Sequence, residues 1–260
     1  MDLVAVALTI AGSDPSGGAG VQADLKTFHE LGVYGEAVIT LITVQNTQSV
    51  ARVETLPADL IGQQIEAVVN DISPGAAKTG ALGNEEIVEA VAELAASFKF
   101  PLVVDPVIVS KHGARLMTAA AERVLKERLL PLSTLVTPNI PEAEALTGMK
   151  IASENDMIAT ARRILDFGCK AVLLKGGHRA ADATDILVTA DTVERLSGSR
   201  IDTRHTHGTG CIYSAAITAG LAKGDALLAA VRSAKQFIQR AIETAPGLGH
   251  GCGPINHFAR

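Results

Sequence analysis

Gly208-Thr209-Gly210-Cys211 stands directly before Ile212 to Leu221, an apolar and alanine-rich run that reads as a buried helix. The backbone N–H groups of Gly208, Thr209, Gly210 and Cys211 therefore fall at a helix N-terminus. Such an end carries unsatisfied donors and partial positive charge, and glycine lets an anion approach without a Cβ in the way. The chemistry this suggests is phosphoryl transfer. Cys211 would sit at the mouth of the anion pocket, where a helix terminus favours thiolate.

Other segments hold groups that match. Lys175 precedes Gly176-Gly177-His178, so a cation meets a turn that a phosphate can approach closely. Asp105 ends an apolar run before Pro106, and Asn139 and Glu142 stand three residues apart at a helix start. Oxygen ligands of this kind suit Mg²⁺, which keeps most of its waters and bridges nucleotide phosphates. The amide of Gln45 offers a donor and an acceptor to the edge of an aminopyrimidine or pyridine ring. Gly12 to Gly20 supplies backbone donors, yet it has neither the dinucleotide fingerprint nor the Gly-Lys-Ser/Thr of a P-loop. Each has a purely structural alternative: a helix cap for Asn139 and Glu142, a snorkelling strand-end lysine for Lys175, a loop amide for Gln45. His205, His207, Cys211, His250 and Cys252 match no common structural zinc spacing.

The elements that must position these groups follow from composition and period. The chain has 260 residues, 47% hydrophobic and 20% charged, with aromatics at only 3% and no tryptophan. A core of Ala, Val, Ile and Leu suits helices packed on a parallel sheet. Strands are expected at Val4–Ile10, Val38–Val44, Ala76–Gly80, Pro101–Pro106, Leu132–Thr137 and Ala171–Lys175, with a hairpin over Ile186–Thr189 and Thr192–Leu196. Helical patterns lie at Ala19–Leu31, Asp59–Asn70, Asn84–Ala96, Ala119–Leu129, Glu142–Thr147, Gly210–Leu221 and Ala226–Thr244. This alternation predicts one α/β domain over residues 1–260, its parallel sheet covered on both faces. In such sheets ligands bind beyond the carboxyl ends of the strands. Ser13/Asp14, Gln45/Asn46, Lys78, Asp105, Asn139 and Lys175 should then converge on one crevice.

A net charge of −5 without a Lys/Arg block speaks against a nucleic-acid partner, so a phosphate would rely on local cations: Lys78, Lys111 and Lys175. Cys169, Cys211 and Cys252 form no disulfide framework, which points to a reducing cytoplasm. With no signal-peptide pattern and no apolar run near the ~18 residues that span a bilayer, no membrane partner is expected.

Taken in order, Ala11 to Thr27, Gln45-Asn46-Thr47, Asp105-Pro106-Val107, Thr137 to Ala143, Lys175 to His178 and Thr206 to Cys211 resemble the ribokinase-like superfamily. Within it the chain is most similar to the hydroxymethylpyrimidine/phosphomethylpyrimidine kinases of thiamin synthesis, and Gly249 to Gly251 and Gly253 to His257 extend the likeness. The resemblance implies a three-layer α/β sandwich and transfer of the ATP γ-phosphoryl to a hydroxymethylpyrimidine, then to its monophosphate. It implies that Gly208, Thr209, Gly210 and Cys211 form the anion hole. Cys211 stands where related sugar kinases carry an aspartate base. Lys175, Asn139 and Thr206 would contact the nucleotide, and Asp105 and Glu142 would organise Mg²⁺ directly or through water. Gln45 would read the pyrimidine edge, Gly12, Asp24 and Val107 would line the substrate pocket, and a homodimer could use the strand region around Val44 to Leu56. Two departures bear on selectivity. Ala81-Leu82-Gly83 replaces a frequent Met-Leu-Gly, and Ala114 follows Ser110-Lys111-His112-Gly113 where an acidic residue is common. The rival readings are a pyridoxine/pyridoxal kinase of the same fold, decided by Gln45 and the surroundings of Ala81, and a non-catalytic vitamin or nucleotide sensor. A sensor need not keep Lys175, Asp105, Glu142 and the 208–211 loop together.

Overall fold

The computed structural model describes residues 4–109, 113, 115–177 and 183–259. Nine strands form one sheet in the order β3-β2-β1-β4-β5-β6-β7-β8-β9. They are β1 Val6–Ser13, β2 Tyr34–Gln45, β3 Val50–Thr55, β4 Ala76–Thr79, β5 Leu102–Val104, β6 Leu135–Val136, β7 Ala171–Leu174, β8 Asp185–Thr189 and β9 Val193–Leu196. The six from β2 to β7 run parallel, while β3, β8 and β9 pair antiparallel at the two edges. The helices are α1 Gly20–Glu30, α2 Ala58–Asp71, α3 Glu85–Ala95, α4 Ala119–Val124, α5 Ile140–Thr147, α6 Glu154–Leu165, α7 Thr209–Ala222 and α8 Leu227–Glu243.

Strand side chains alternate between faces, and this alternation divides the core into two apolar layers. Leu8 and Ile10 of β1, with Leu102 and Val104 of β5, pack with Ile61 and Ile65 of α2, Ile87 and Val91 of α3, and Met157 and Ile164 of α6. Val103 and Leu173 point the other way, among Ile212 and Ile217 of α7 and Val231 and Phe237 of α8. Ala7 joins Phe28 of α1 and Ala215 and Ala219 of α7. The result is the expected three-layer ribokinase-like sandwich.

Several elements differ from the sequence expectation. The helix α6 is not among the expected elements, although Ser153 and Asp156 form a capping box and Met157, Ala161 and Ile164 recur at helical spacing. The helix from Ala119 gives way at Leu125–Leu129 to a π turn and at Leu130–Leu132 to a 3₁₀ turn containing Pro131. Proline cannot donate to a helical ladder, and β6 shrinks to Leu135–Val136. On β2, Ile42 and Val44 are 48% and 56% exposed and alternate with buried Leu41 and Thr43. No helix among the described residues is long and apolar enough to cross a membrane.

Candidate active site

A cleft of about 770 Å³ opens at the carboxyl edge of the sheet, and it gathers residues from almost every expected segment. Gly12, Gln45, Asp105, Val107, Asn139, Glu142, Lys175, Thr206, Gly208, Thr209, Gly210 and Cys211 all line it. Lys111, Ala114 and His178 lie outside the described residues.

The N-terminus of α7 forms one wall. Gly208 is the N-cap in left-handed conformation (φ 79°), and a Cβ there would stand 1.7 Å from the Gly18 carbonyl oxygen. Only glycine fits that turn. Ile212 N–H closes the first helical bond, to Gly208 O at 2.9 Å, while Thr209 N–H leans on Thr206 O at 3.4 Å. The first turn holds no acidic residue and no side-chain cap, so α7 brings no anion of its own to its positive end. A Cβ on Gly210 would lie 3.2 Å from Lys175 Nζ and 3.6 Å from Asp105 Oδ2. The absent side chain keeps the space between helix end, lysine and carboxylate open.

Lys175 follows β7 directly, so it emerges at the sheet edge. Its Nζ donates to Asp105 Oδ1 at 3.0 Å, and Thr137 Oγ1 donates to the same oxygen at 3.1 Å. Burial opposes the ammonium, yet the charges of Asp105 and Glu142 hold its pKa above the usual lysine range. Asn139 and Glu142 form the capping box of α5: Glu142 N–H donates to Asn139 Oδ1 at 2.9 Å and Asn139 N–H to Glu142 Oε2 at 2.8 Å. The cap and the cleft role are compatible, because Glu142 also faces the cavity. Burial pushes its carboxyl up to about 7 against the pull of Lys175, and the nearby charge of Asp105 adds to the rise.

Three sequence expectations need correction. Asp24, expected in the pocket wall, lies behind it: its side chain is fully buried, receives Lys78 Nζ at 2.7 Å and Thr9 Oγ1 at 2.6 Å, and is not part of the cleft lining. Lys78 is therefore sealed in the core and is not an accessible phosphate cation. The reason is register: Lys78 pairs with Thr9 of β1 and Val103 of β5, inside the sheet and short of its edge. The thiol of Cys211 is also not favoured as thiolate. Burial pushes it up to about 11, and the ammonium of Lys78 offsets only part of that.

Spacing gave no sign of the network beneath the Lys175 turn. Asp185 accepts from Gly176 N–H at 2.8 Å, Lys235 Nζ at 2.7 Å and Tyr213 OH at 3.1 Å, so β8, α7 and α8 all anchor the turn. These partners are separated by tens of residues and carry no common motif. Ala81 lines the cleft as expected and is held by Thr40 Oγ1, which donates to its carbonyl at 2.6 Å.

Backbone donors at a helix end face a lysine and two carboxylates across a cleft at the edge of a parallel sheet, an arrangement that belongs to the ribokinase-like kinases of small molecules. The phosphomethylpyrimidine kinase model matches residues 14–256, and the chain belongs to that family. A hydroxymethylpyrimidine/phosphomethylpyrimidine kinase of Rhizobium meliloti is 48% identical over 262 residues, 99% of this chain and 98% of its own. Among solved structures, the phosphomethylpyrimidine kinase of Clostridium difficile 630 is 45% identical with a TM-score of 0.82, covering 91% of this chain and 99% of that one. An ADP complex of Bacillus subtilis pyridoxal kinase superposes with a TM-score of 0.91 at 39% identity, over 99% and 98% of the two chains. Likeness in sequence thus favours the pyrimidine kinases, while the pyridoxal kinase shares the fold at least as closely.

Proposed function

We propose that this protein transfers the γ-phosphoryl of ATP to the hydroxymethyl group of 4-amino-5-hydroxymethyl-2-methylpyrimidine, and then a second phosphoryl to the monophosphate so formed, within thiamin synthesis. The observation that carries this reading is the meeting of the α7 N-terminus, Lys175 and Asp105 in the cleft that also contains Gln45. Lys175, Asn139 and Thr206 hold the nucleotide, Gln45 reads the ring edge, and Gly12 and Val107 close around the ring. Asp24 supports that wall from behind through Thr9 and Lys78.

Phosphoryl transfer runs through a loose transition state, so positioning and charge stabilisation dominate. The substrate oxygen attacks the γ-phosphorus as the bond to the β–γ bridging oxygen breaks, and ADP leaves. The N–H groups of Gly208 to Cys211 and the Lys175 ammonium face the charge that spreads over the transferring group. In the first step the hydroxyl proton must go to an acceptor, and Cys211 as thiolate is that group. Burial pushes that thiol up to about 11, so the thiolate that can accept the proton is the minor form at neutral pH. In the second step the nucleophile is already an anion, and Cys211 serves as pocket wall.

Asp105 and Glu142 fit Mg²⁺. Asp105 keeps Oδ2 on the open side of the cleft, and the raised pKa of Glu142 marks two buried carboxylates with too little nearby positive charge. The ion would neutralise nucleotide phosphates there, bound largely through water. We further infer a cytoplasmic homodimer, joined through the apolar β2 face of Ile42 and Val44 and the edge strand β3, which light scattering tests.

The deciding experiment measures ADP release with Mg-ATP on hydroxymethylpyrimidine, its monophosphate and pyridoxal, with product masses recorded. Turnover of both pyrimidines is expected. Turnover of pyridoxal alone would move the enzyme to vitamin B6 salvage, a selectivity on which Ala81 at the cleft bears. No ADP with any of the three would leave the sensor reading.

A further inference from the structure

Asp14 and His207 both border the cleft, yet neither carries a step of the phosphoryl transfer. They come from opposite ends of the chain and meet in a nearly closed space, 2% and 5% exposed.

Asp14 stands just past β1, and donors crowd its carboxylate. Its Oδ1 accepts from Ser16 N–H at 2.8 Å and from Ser16 Oγ at 2.7 Å. Its Oδ2 accepts from Ala19 N–H at 2.9 Å and lies 2.8 Å from His207 Nε2. These four neighbours fill the four lone-pair sites of an ionised carboxylate and leave no place for a proton. Burial alone would raise the Asp14 pKa, but hydrogen bonds, first the one from His207, hold it well below the usual carboxylate range. An ionised carboxylate only accepts, so the proton of this contact belongs to His207 Nε2.

The other contacts of His207 lead to the helix end. It directly precedes Gly208, the N-cap of α7, and its own N–H donates to Gly253 O at 3.0 Å. A bridge to Pro254 continues that pairing. A Cβ on Gly18 would stand 2.6 Å from His207 Cδ2 and 3.2 Å from Pro254 Cβ. The imidazole is thus clasped between the loop after β1 and the chain's C-terminal segment. No side chain caps α7, so the residue before Gly208 is where the helix end can be tethered.

We propose that His207 is a positioning residue for phosphoryl transfer: held by Asp14 through its ring and by Gly253 through its backbone, it sets the direction of the N–H groups of Gly208 to Cys211. The inference rests on the reading of those groups as the anion hole. It also gives a use to the C-terminal Gly253-Pro254 segment, which holds this tether from the side opposite Asp14. Donors aimed at a transferring group act where charge develops, so misaligning them falls on kcat more than on substrate binding. Both phosphorylations pass through the same hole and should suffer alike.

The test is steady-state kinetics with hydroxymethylpyrimidine and with its monophosphate on the parent enzyme, His207→Leu and His207→Gln. His207→Leu should lower kcat about ten- to a hundredfold in both phosphorylations and move the pyrimidine KM less than about threefold. His207→Gln keeps an N–H that can reach Asp14 and should recover most of the loss. An unchanged kcat in His207→Leu, a glutamine no better than leucine, or an effect on KM alone overturns the inference. A loss confined to the first phosphorylation also overturns it, because it would mark His207 as part of the proton transfer. Full kcat in Gly210→Ala would instead refute the anion hole itself, a separate failure. If the parent releases no ADP, or the variants do not fold, nitrogen NMR of His207 in the parent decides. A protonated Nε2 with slow proton exchange supports the tether, and an unprotonated Nε2 overturns it.

Discussion

Two lysines in this protein each pair with an aspartate near the carboxyl ends of parallel strands, and they serve opposite ends. Lys78 and Asp24 are both fully buried at 2.7 Å, while Lys175 and Asp105, at 3.0 Å, are 12% and 2% exposed and look into the cleft. Lys78 sits one residue inside the end of β4, and Lys175 one residue beyond the end of β7. The shift from inside a strand to just past it turns a sealed ion pair into one that opens onto the cleft. Asp24 also keeps Oδ1 without a partner and Lys78 fills the core behind the Cys211 wall, so this pair supports the site at some cost in desolvation.

The sharpest test of that contrast is Lys78→Met, which strands a buried carboxylate. It should lower stability by about 3–5 kcal/mol in denaturant unfolding, and adding Asp24→Asn should recover much of the loss. An equal loss of stability from Lys175→Met would erase the distinction. Lys175→Met is expected instead to lose less stability than Lys78→Met, because its pair borders the cleft, and to lose about 10²–10³-fold in kcat/KM for both phosphorylations.

Gly210 and Gly208 extend the comparison from cations to backbone. Gly210→Ala places a methyl between the helix end and Lys175 Nζ, in a residue with ordinary helical backbone. It should cut kcat/KM at least about tenfold and leave the melting temperature unchanged or higher, since alanine favours a helix. Gly208→Ala must place a Cβ against the Gly18 carbonyl at φ 79°, so it should lower stability as well as activity.

The smallest effect concerns Glu36, a carboxyl outside the cleft. Burial, and then the charge of Asp71, push it up to about 7, and its Oε2 has no hydrogen-bond partner. The folded state therefore holds the proton more tightly than the unfolded chain between pH 4.5 and 7, and Glu36 weakens the protein progressively as pH rises through that window. Glu36→Gln should match the parent at pH 4 and exceed it in melting temperature by pH 8. A difference independent of pH would reject this account. His257 acts with the opposite sign: burial lowers it to about 4, so stability is lost as pH falls from 6.5 toward 4.

Much of the architecture was legible because its signals are local. Periodicity placed β1, α2, α3 and β7 to within a few residues, and glycine before an apolar run marked the start of α7. The cleft residues were legible for the same reason: Gln45, Asp105, Asn139 and Lys175 all stand at strand ends, where an α/β sheet collects its ligands. Asp14 was visible as a strand-end residue, but its contact with His207 was not, since His207 is 193 residues away. The anchoring of Gly176 by Asp185 likewise depends on helices contributed much later in the chain.

By itself the sequence determined the layer order, the strand-end polar groups and the glycine-led helix, because period, apolar runs and missing side chains act within a few neighbouring residues. Only the tertiary structure decided which lysine is reachable, that Cys211 is a thiol of raised pKa, and which distant donors meet Asp185. Those depend on strand register, on burial and on donors from distant segments meeting one carboxylate, and no local pattern encodes such a meeting.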